Sequence, residues 1–259
     1  MEEGRYIYCI IGDREERKFD SPAIGERGDD VYSISHRDIA AVISVSPIIK
    51  YPISRANTMA HQKVLEELMD DFTVLPVRFG TIAGGKENVA PDDRIREEVL
   101  KTRYEELKDL SLKMDNKMEL GLKAIWTDME SIFREIVDEN TEIRRLRQKL
   151  ISHQSVQSIP QRATLGELVK EALERKKAKE EKNILGIFKR TSVEWRGNKV
   201  FGDAMITNLA FLVDKTRAGE FDGLMDKLAT EYNGRTKFKY IGPVPPINFV
   251  ELVITLDEE

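Results

Sequence analysis

The chain has 259 residues, 41% hydrophobic and 34% charged, with a net charge of −5 and a single cysteine. The length suits one large or two ordinary domains with a real core, and the charged fraction exceeds the roughly 25% of an average globular protein. The acidic balance supplies no field favouring nucleic acid or an anionic membrane. Cys9, alone in an apolar run, excludes an internal disulfide and a multi-cysteine metal site, and points to a buried free thiol in a reducing compartment.

The start Met1-Glu2-Glu3 lacks the basic region of a secretory leader, and no apolar run approaches the ~20 residues that a membrane helix needs. A soluble, cytoplasmic protein is expected. Tyr6 to Ile11 is short and rich in β-formers, so it predicts a strand buried on both faces. Residues 12–30 predict a charged loop. Val31–Ser35 and Ile39–Ser44 predict two further strands around the turn His36-Arg37-Asp38. From Asn57, placed as a helix cap, the period changes: His61, Val64, Leu65 and Leu68 form one helical stripe. Thr73–Phe79 predicts the next strand, at an edge or bulged because Pro76 has no N–H to donate. A charged helix from Pro91 to about Leu112 closes this region.

A second unit begins near Lys117. Met118, Leu120, Leu122, Ala124 and Trp126 alternate with Glu119, Gly121 and Lys123, the period of a half-buried strand. Thr127-Asp128-Met129-Glu130 has the form of a capping box, in which hydroxyl and carboxylate each satisfy an amide of the first turn. The helix behind it carries Met129, Ile132, Phe133, Ile136, Val137 and Ile143. Thr164-Leu165-Gly166-Glu167 repeats the box and predicts a second helix into the Lys/Glu-rich stretch ending near Lys182. Trp195-Arg196-Gly197-Asn198 resembles a turn. A long strand Met205–Val213, a helix carrying Phe221, Leu224, Met225, Leu228 and Tyr232, a strand Lys237–Ile241 and a final strand Phe249–Leu256 follow. The expected class is α+β in two domains. Residues 1–114 form a mixed α+β domain, and residues 115–259 a ferredoxin-like domain with a helical insertion at about 150–192 and a Pro-rich tail.

No catalytic constellation emerges. Gly80-Thr81-Ile82-Ala83-Gly84-Gly85-Lys86 fits G-x-x-x-x-G-K, the loop whose amides cradle phosphates, but Glu87 stands where Ser or Thr must hold magnesium. The segment therefore predicts a Gly-rich connector, with a P-loop-like nucleotide site as the alternative. His36, His61 and His153 show no metal-ligand spacing, and His61 on an apolar helix face predicts a hydrogen-bonded core residue. No cofactor or metal site is expected. The cations Arg144, Arg145, Arg147, Lys149, Arg175, Lys176, Lys177, Lys179 and Lys182 are flanked by glutamates and predict solvated helix faces. No RNP-type aromatic motif accompanies them. Arg78 leaves its strand on the side opposite Leu75 and Phe79. It predicts either an ion pair that holds the edge or a contact for a partner, since unpaired edges are docking points. Gly242-Pro243-Val244-Pro245-Pro246 predicts a semi-rigid extended segment.

Two Pro-punctuated stretches, Phe72-Thr73-Val74-Leu75-Pro76-Val77-Arg78-Phe79-Gly80-Thr81 and Ile241-Gly242-Pro243-Val244-Pro245-Pro246-Ile247-Asn248-Phe249, carry the most information. With Asp38 to Ser44, His61-Val64-Leu65 and Asn208 to Asp214, they make the chain resemble the gas vesicle protein F/L family over nearly its whole length. Val244 and Ile247 stand where that family usually carries aromatics. The resemblance implies a two-domain α+β protein without enzymatic activity, needed to form the hollow shells that give microbes buoyancy. It implies contact with the small, hydrophobic main shell protein and with other minor gas vesicle proteins, in the cytoplasm and at the vesicle. No nucleic acid or lipid membrane is implied as a partner. A general protein-binding scaffold is the competing class. The candidate partner-binding or structural residues are Leu75, Pro76, Arg78, Phe79, Gly242, Pro243, Pro245, Pro246 and Phe249.

Overall fold

The computed structural model describes residues 2–86, 88–152, 159–232 and 234–256. The chain is α+β with two sheets, and it separates into two compact units. Residues 1–119, 214–216 and 242–259 form the first, and residues 120–213 and 217–241 the second. The sequence reading assigned 242–259 to the second domain, whereas these residues pack within the first unit.

The first unit is organised around β1 (Glu3–Ile11), buried continuously from Tyr6 to Ile11. Its other strands are β2 (Lys18–Phe19), β3 (Val31–His36), β4 (Ile39–Pro47), β5 (Val74–Pro76) and β6 (Ile82–Ala83), in the order β2-β3-β4-β1-β5 with β6 also on β1. β4 runs antiparallel along one side of β1, with a bulge between Ile7 and Cys9. The other side is shared: β5 pairs Pro76 with Cys9 and Leu75 with Ile10, and β6 pairs Ala83 with Arg5 and Ile82 with Tyr6. Gly4 is required there, because a Cβ would stand 2.6 Å from the Ala83 carbonyl oxygen. β2 is a strand inside the stretch expected to be loop. Helix α1 (Arg55–Leu68) buries His61, Val64, Leu65 and Leu68, the stripe that the spacing indicated. Its cap is Ser54, whose Oγ accepts from the Asn57 N–H at 3.2 Å, so Asn57 lies inside the helix rather than capping it. Cys9 is free and fully buried, and burial pushes its thiol pKa upward.

The expected single helix from Pro91 is three consecutive pieces: α2 (Pro91–Arg94), a π-helical stretch Ile95–Lys101, and α3 (Tyr104–Met114). The final strand expected over Phe249–Leu256 reduces to one parallel bridge, Leu252 to Val77.

The second unit carries a sheet of β7 (Lys117–Trp126), β8 (Glu194–Gly197), β9 (Met205–Asp214) and β10 (Thr236–Val244), in the order β10-β7-β9-β8. The stretch around Trp195 is thus a strand paired antiparallel to β9, not a turn. Among the described residues its α-helices are α4 (Met129–Glu139), α5 (Thr141–Ser152), α6 (Ile159–Phe188) and α7 (Ala218–Glu231). Both expected capping boxes fail. Asp128 caps α4 by accepting from the Ser131 N–H at 3.1 Å, while the Thr127 hydroxyl donates to the carbonyls of Gly234 and Arg235. Thr164 lies within α6 and donates back to Pro160 O, four residues earlier. Phe188, Phe211 and Phe221 pack as a buried aromatic triplet, with Phe188 and Phe221 centroids 4.5 Å apart. Arg235 binds Glu135 at 2.5 and 2.9 Å, and Lys176 bridges Glu135 and Glu139. The hydrogen bonds from Arg235, reinforced by Lys176, hold the Glu135 carboxyl down at about 2.

Candidate functional site

In the first unit, an apolar groove of about 600 Å³ opens between three segments. α1 supplies Thr58, His61, Gln62 and Leu65, the chain beyond β5 supplies Pro76 to Phe79, and the tail supplies Ile247 and Val250 to Val253. Pro76 to Phe79 of the first Pro-punctuated stretch and Ile247 of the second therefore line the same concavity. Its walls are firm: Val77, Val250 and Leu252 are buried. Its rim is apolar and open, with Ile53 87% and Ile247 47% exposed. Solvent-facing aliphatic groups beside a concave apolar surface are the composition of a contact surface rather than of a monomer's periphery.

Polar interactions hold the groove in shape. The Tyr6 hydroxyl accepts from the Gly80 N–H at 3.0 Å and lies 3.0 Å from His61 Nδ1. With Gly80 donating, the Tyr6 proton goes to Nδ1, which needs a neutral imidazole protonated at Nε2. Burial lowers the His61 pKa to about 4, in agreement with that tautomer. Gly80 sits at φ +85°, a conformation costly for any other residue. Tyr8, Phe79 and His61 pack around Tyr6, with Tyr6 and Tyr8 centroids 4.8 Å apart. One phenol thus joins the first strand, the helix and the end of the Phe72–Thr81 stretch.

The tail is fixed twice. Glu119 is buried, and its carboxylate accepts from the Asn248 N–H at 2.7 Å and from Asn248 Nδ2 at 2.5 Å. Beyond the turn Ile247–Phe249, Leu252 bridges Val77, the Arg78 N–H donates to Leu252 O at 3.3 Å, and Arg103 donates to Val253 O at 2.8 Å. The β5 edge, expected to be open, is covered here by the chain itself.

The sequence-based candidates divide accordingly. Pro76, Arg78 and Phe79 line the groove. Leu75 and Phe249 are buried. Pro245 and Pro246 are buried too and line a separate polar cavity of about 350 Å³ with Met69–Val74, Met114–Lys117 and Lys215. Gly242 and Pro243 are exposed at the end of β10. Arg78 is exposed and makes no ion pair among the described residues, so the expected ion pair at this edge is absent from them. Ile53, Gln62 and the 250–253 segment were missed. The available signal was Ile53 beside Pro52, an aliphatic residue with no periodic partners.

The P-loop-like stretch has other commitments. Ile82–Ala83 is strand β6, Thr81 O accepts from the Ile7 N–H, and the Lys86 N–H donates to Val89 O. The stretch runs along β1 instead of opening a helix, so its amides do not converge on an anion. Glu87 and His153 lie outside the described residues. Among the described residues no group of three or more His, Cys, Asp or Glu is arranged to hold a metal, and no helix is long and apolar enough to cross a membrane.

The fold and groove define a two-sheet α+β protein with a concavity lined largely by apolar groups. A family model described as gas vesicle synthesis protein GvpL/GvpF matches residues 4–251, and the chain belongs to that family. Gas vesicle protein F of Streptomyces sp. (strain CB03234) is 30% identical over 228 residues, 88% of this chain and 91% of the relative. Gas vesicle protein F1 of Halobacterium salinarum is 24% identical over 262 residues, 100% of this chain and 98% of the relative. The crystal structure of the gas vesicle protein GvpF from Anabaena sp. PCC7120 superposes with a TM-score of 0.81 at 22% identity, covering 97% of this chain and 99% of that one. Family membership supports a role in gas vesicle formation.

Proposed function

We propose that the protein works without making or breaking bonds. In this reading it binds the small, hydrophobic main shell protein in the cytoplasm during vesicle assembly, or as a component associated with the shell. The groove is the contact surface. The observation that carries this reading is that Pro76 to Phe79 of the first stretch and Ile247 of the second line one apolar concavity with an aliphatic rim. Exposed aliphatic groups such as Ile53 gain by covering the apolar surface of a shell subunit that otherwise aggregates.

We also propose the finer architecture. The strand order β10-β7-β9-β8, with helices after β7 and β9, fits a ferredoxin-like domain carrying a helical insertion. The domain boundary falls near residues 115–119, and the tail returns to the first domain.

The reading is tested by capture of the purified main shell protein on immobilised chain. Wild type retains it, and Ile53→Asp with Ile247→Asp reduces retention about tenfold or more, at rim positions that leave the fold intact. Retention unchanged by the double substitution, or no capture by wild type in any of several buffers, overturns the proposal.

A further inference from the structure

The second sheet ends on β8, the last strand in the order β10-β7-β9-β8. Its register on β9 pairs Glu194 with Leu212, Trp195 with Phe211, Arg196 with Ala210 and Gly197 with Leu209. One place further on, the Asn198 N–H donates to Asn208 O at 2.7 Å, which marks that position as hydrogen-bonded to β9. Because the pattern alternates, Glu194 and Arg196 also turn their backbone groups toward β9, and Trp195 and Gly197 turn theirs outward. Around this edge lie apolar side chains in contact with solvent: Val193 is 55%, Trp195 37% and Phe201 64% exposed.

Edge strands are usually protected by charge. Here the charges are of opposite sign and two residues apart, with Trp195 between them, and they already pair along the strand, Arg196 Nε donating to Glu194 Oε1 at 3.3 Å. An antiparallel strand pairing about a two-fold axis through Trp195 sets Trp195 opposite itself, where the two copies exchange their outward hydrogen bonds. The same axis sets Glu194 opposite Arg196 of the second copy, and Arg196 opposite Glu194. Those flanking positions are of the non-hydrogen-bonded kind, where opposed side chains lie closest. An axis through Glu194 or through Arg196 instead opposes like charges, so the charge pattern selects one register.

We infer that β8 is a self-association edge: two copies join antiparallel through Glu194–Gly197 into a two-fold symmetric ribbon of sheet centred on Trp195. The contact is isologous and closed, so it ends at a dimer and does not propagate. It is short, which makes the dimer weak and reversible. It uses no residue of the groove and stands independently of the proposed shell contact.

Sedimentation velocity of the full chain, from low micromolar to near-millimolar concentration, tests the inference. Wild type shifts from monomer to dimer. Glu194→Arg and Arg196→Glu, each alone, weaken association about tenfold or more, since each places like charges opposite one another at both ends of the ribbon. An equimolar mixture of the two variants regains the dimer, as does one chain carrying both changes, because opposite charges then face each other again. Should a single variant fail to fold, amide hydrogen exchange of wild type decides: the Trp195 and Gly197 amides slow as concentration rises. A wild type that stays monomeric throughout, single variants that associate like wild type, a mixture that does not recover, or exchange at Trp195 and Gly197 independent of concentration overturns the inference.

Discussion

Each unit of this protein has a sheet with a strand at its margin, and the two margins are treated differently. Next to β5, the chain's own tail returns: Leu252 bridges Val77 and accepts the Arg78 N–H, while Asn248 is held by the buried Glu119. Next to β8 no further strand of the sheet follows among the described residues, and Trp195 remains partly in solvent. The first margin has exchanged an open ladder for an apolar groove, so recognition there passes to side chains. The second keeps its backbone groups available and recognises, by its charge order, another strand like itself. A sheet edge can thus be closed by sequence far away in the chain or left for another molecule, and what remains exposed differs in kind.

Breaking the closed margin has the largest expected effect. Leu252 is 2% exposed, and Leu252→Ala removes its buried side chain and loosens the bridge to Val77. A loss of about 3 to 4 kcal/mol is expected in urea unfolding, with the melting temperature lowered in parallel. A change below about 1 kcal/mol means that the tail is not part of the first unit's cooperative fold.

Acid sharpens the comparison next, because His61 stands behind the groove and no comparable buried histidine is described in the second unit. Its folded pKa of about 4 lies below the ordinary histidine value of 6.5, so between these values the unfolded chain binds the proton and the folded chain does not. The sign follows: this contribution is fully present above about pH 6.5 and is lost as pH falls toward 4, by about 3 kcal/mol in all. His61→Gln is expected to show a flatter stability profile between pH 7 and 4 than wild type. Parallel profiles for the two proteins contradict the neutral, Tyr6-bonded imidazole.

The smallest effect belongs to the open margin. Trp195→Thr keeps β-propensity and removes a partly exposed ring, so the monomer's stability is expected to change by no more than about 1 kcal/mol. A far larger loss, measured by chemical denaturation at low protein concentration, makes Trp195 a core residue instead of an edge contact.

Local patterns were legible wherever a residue's fate depends on its neighbours in the chain. The stripe His61, Val64, Leu65, Leu68 and the apolar run Tyr6–Ile11 fall where periodicity puts them. Capping was less legible. Ser54 takes the amide at the start of α1 and Asp128 that at the start of α4, while the Thr127 hydroxyl is claimed by carbonyls at Gly234 and Arg235, far off in sequence. Glu119 looked like the solvent side of an alternating strand, yet it is buried because Asn248 offers it two donors. Trp195-Arg196-Gly197 looked like a turn because so short a strand carries almost no periodic signal.

For the candidate site, the sequence determined the parts: two Pro-containing stretches in a given order, and the family to which they belong. Only the tertiary structure decided that Pro76 to Phe79, Ile247 and Val250 to Val253 face one groove, and that Leu75, Pro245, Pro246 and Phe249 are buried elsewhere. The reason is that side-chain direction along a strand or helix is set by backbone geometry over a few residues, whereas which distant segment covers it depends on the packing of the whole unit.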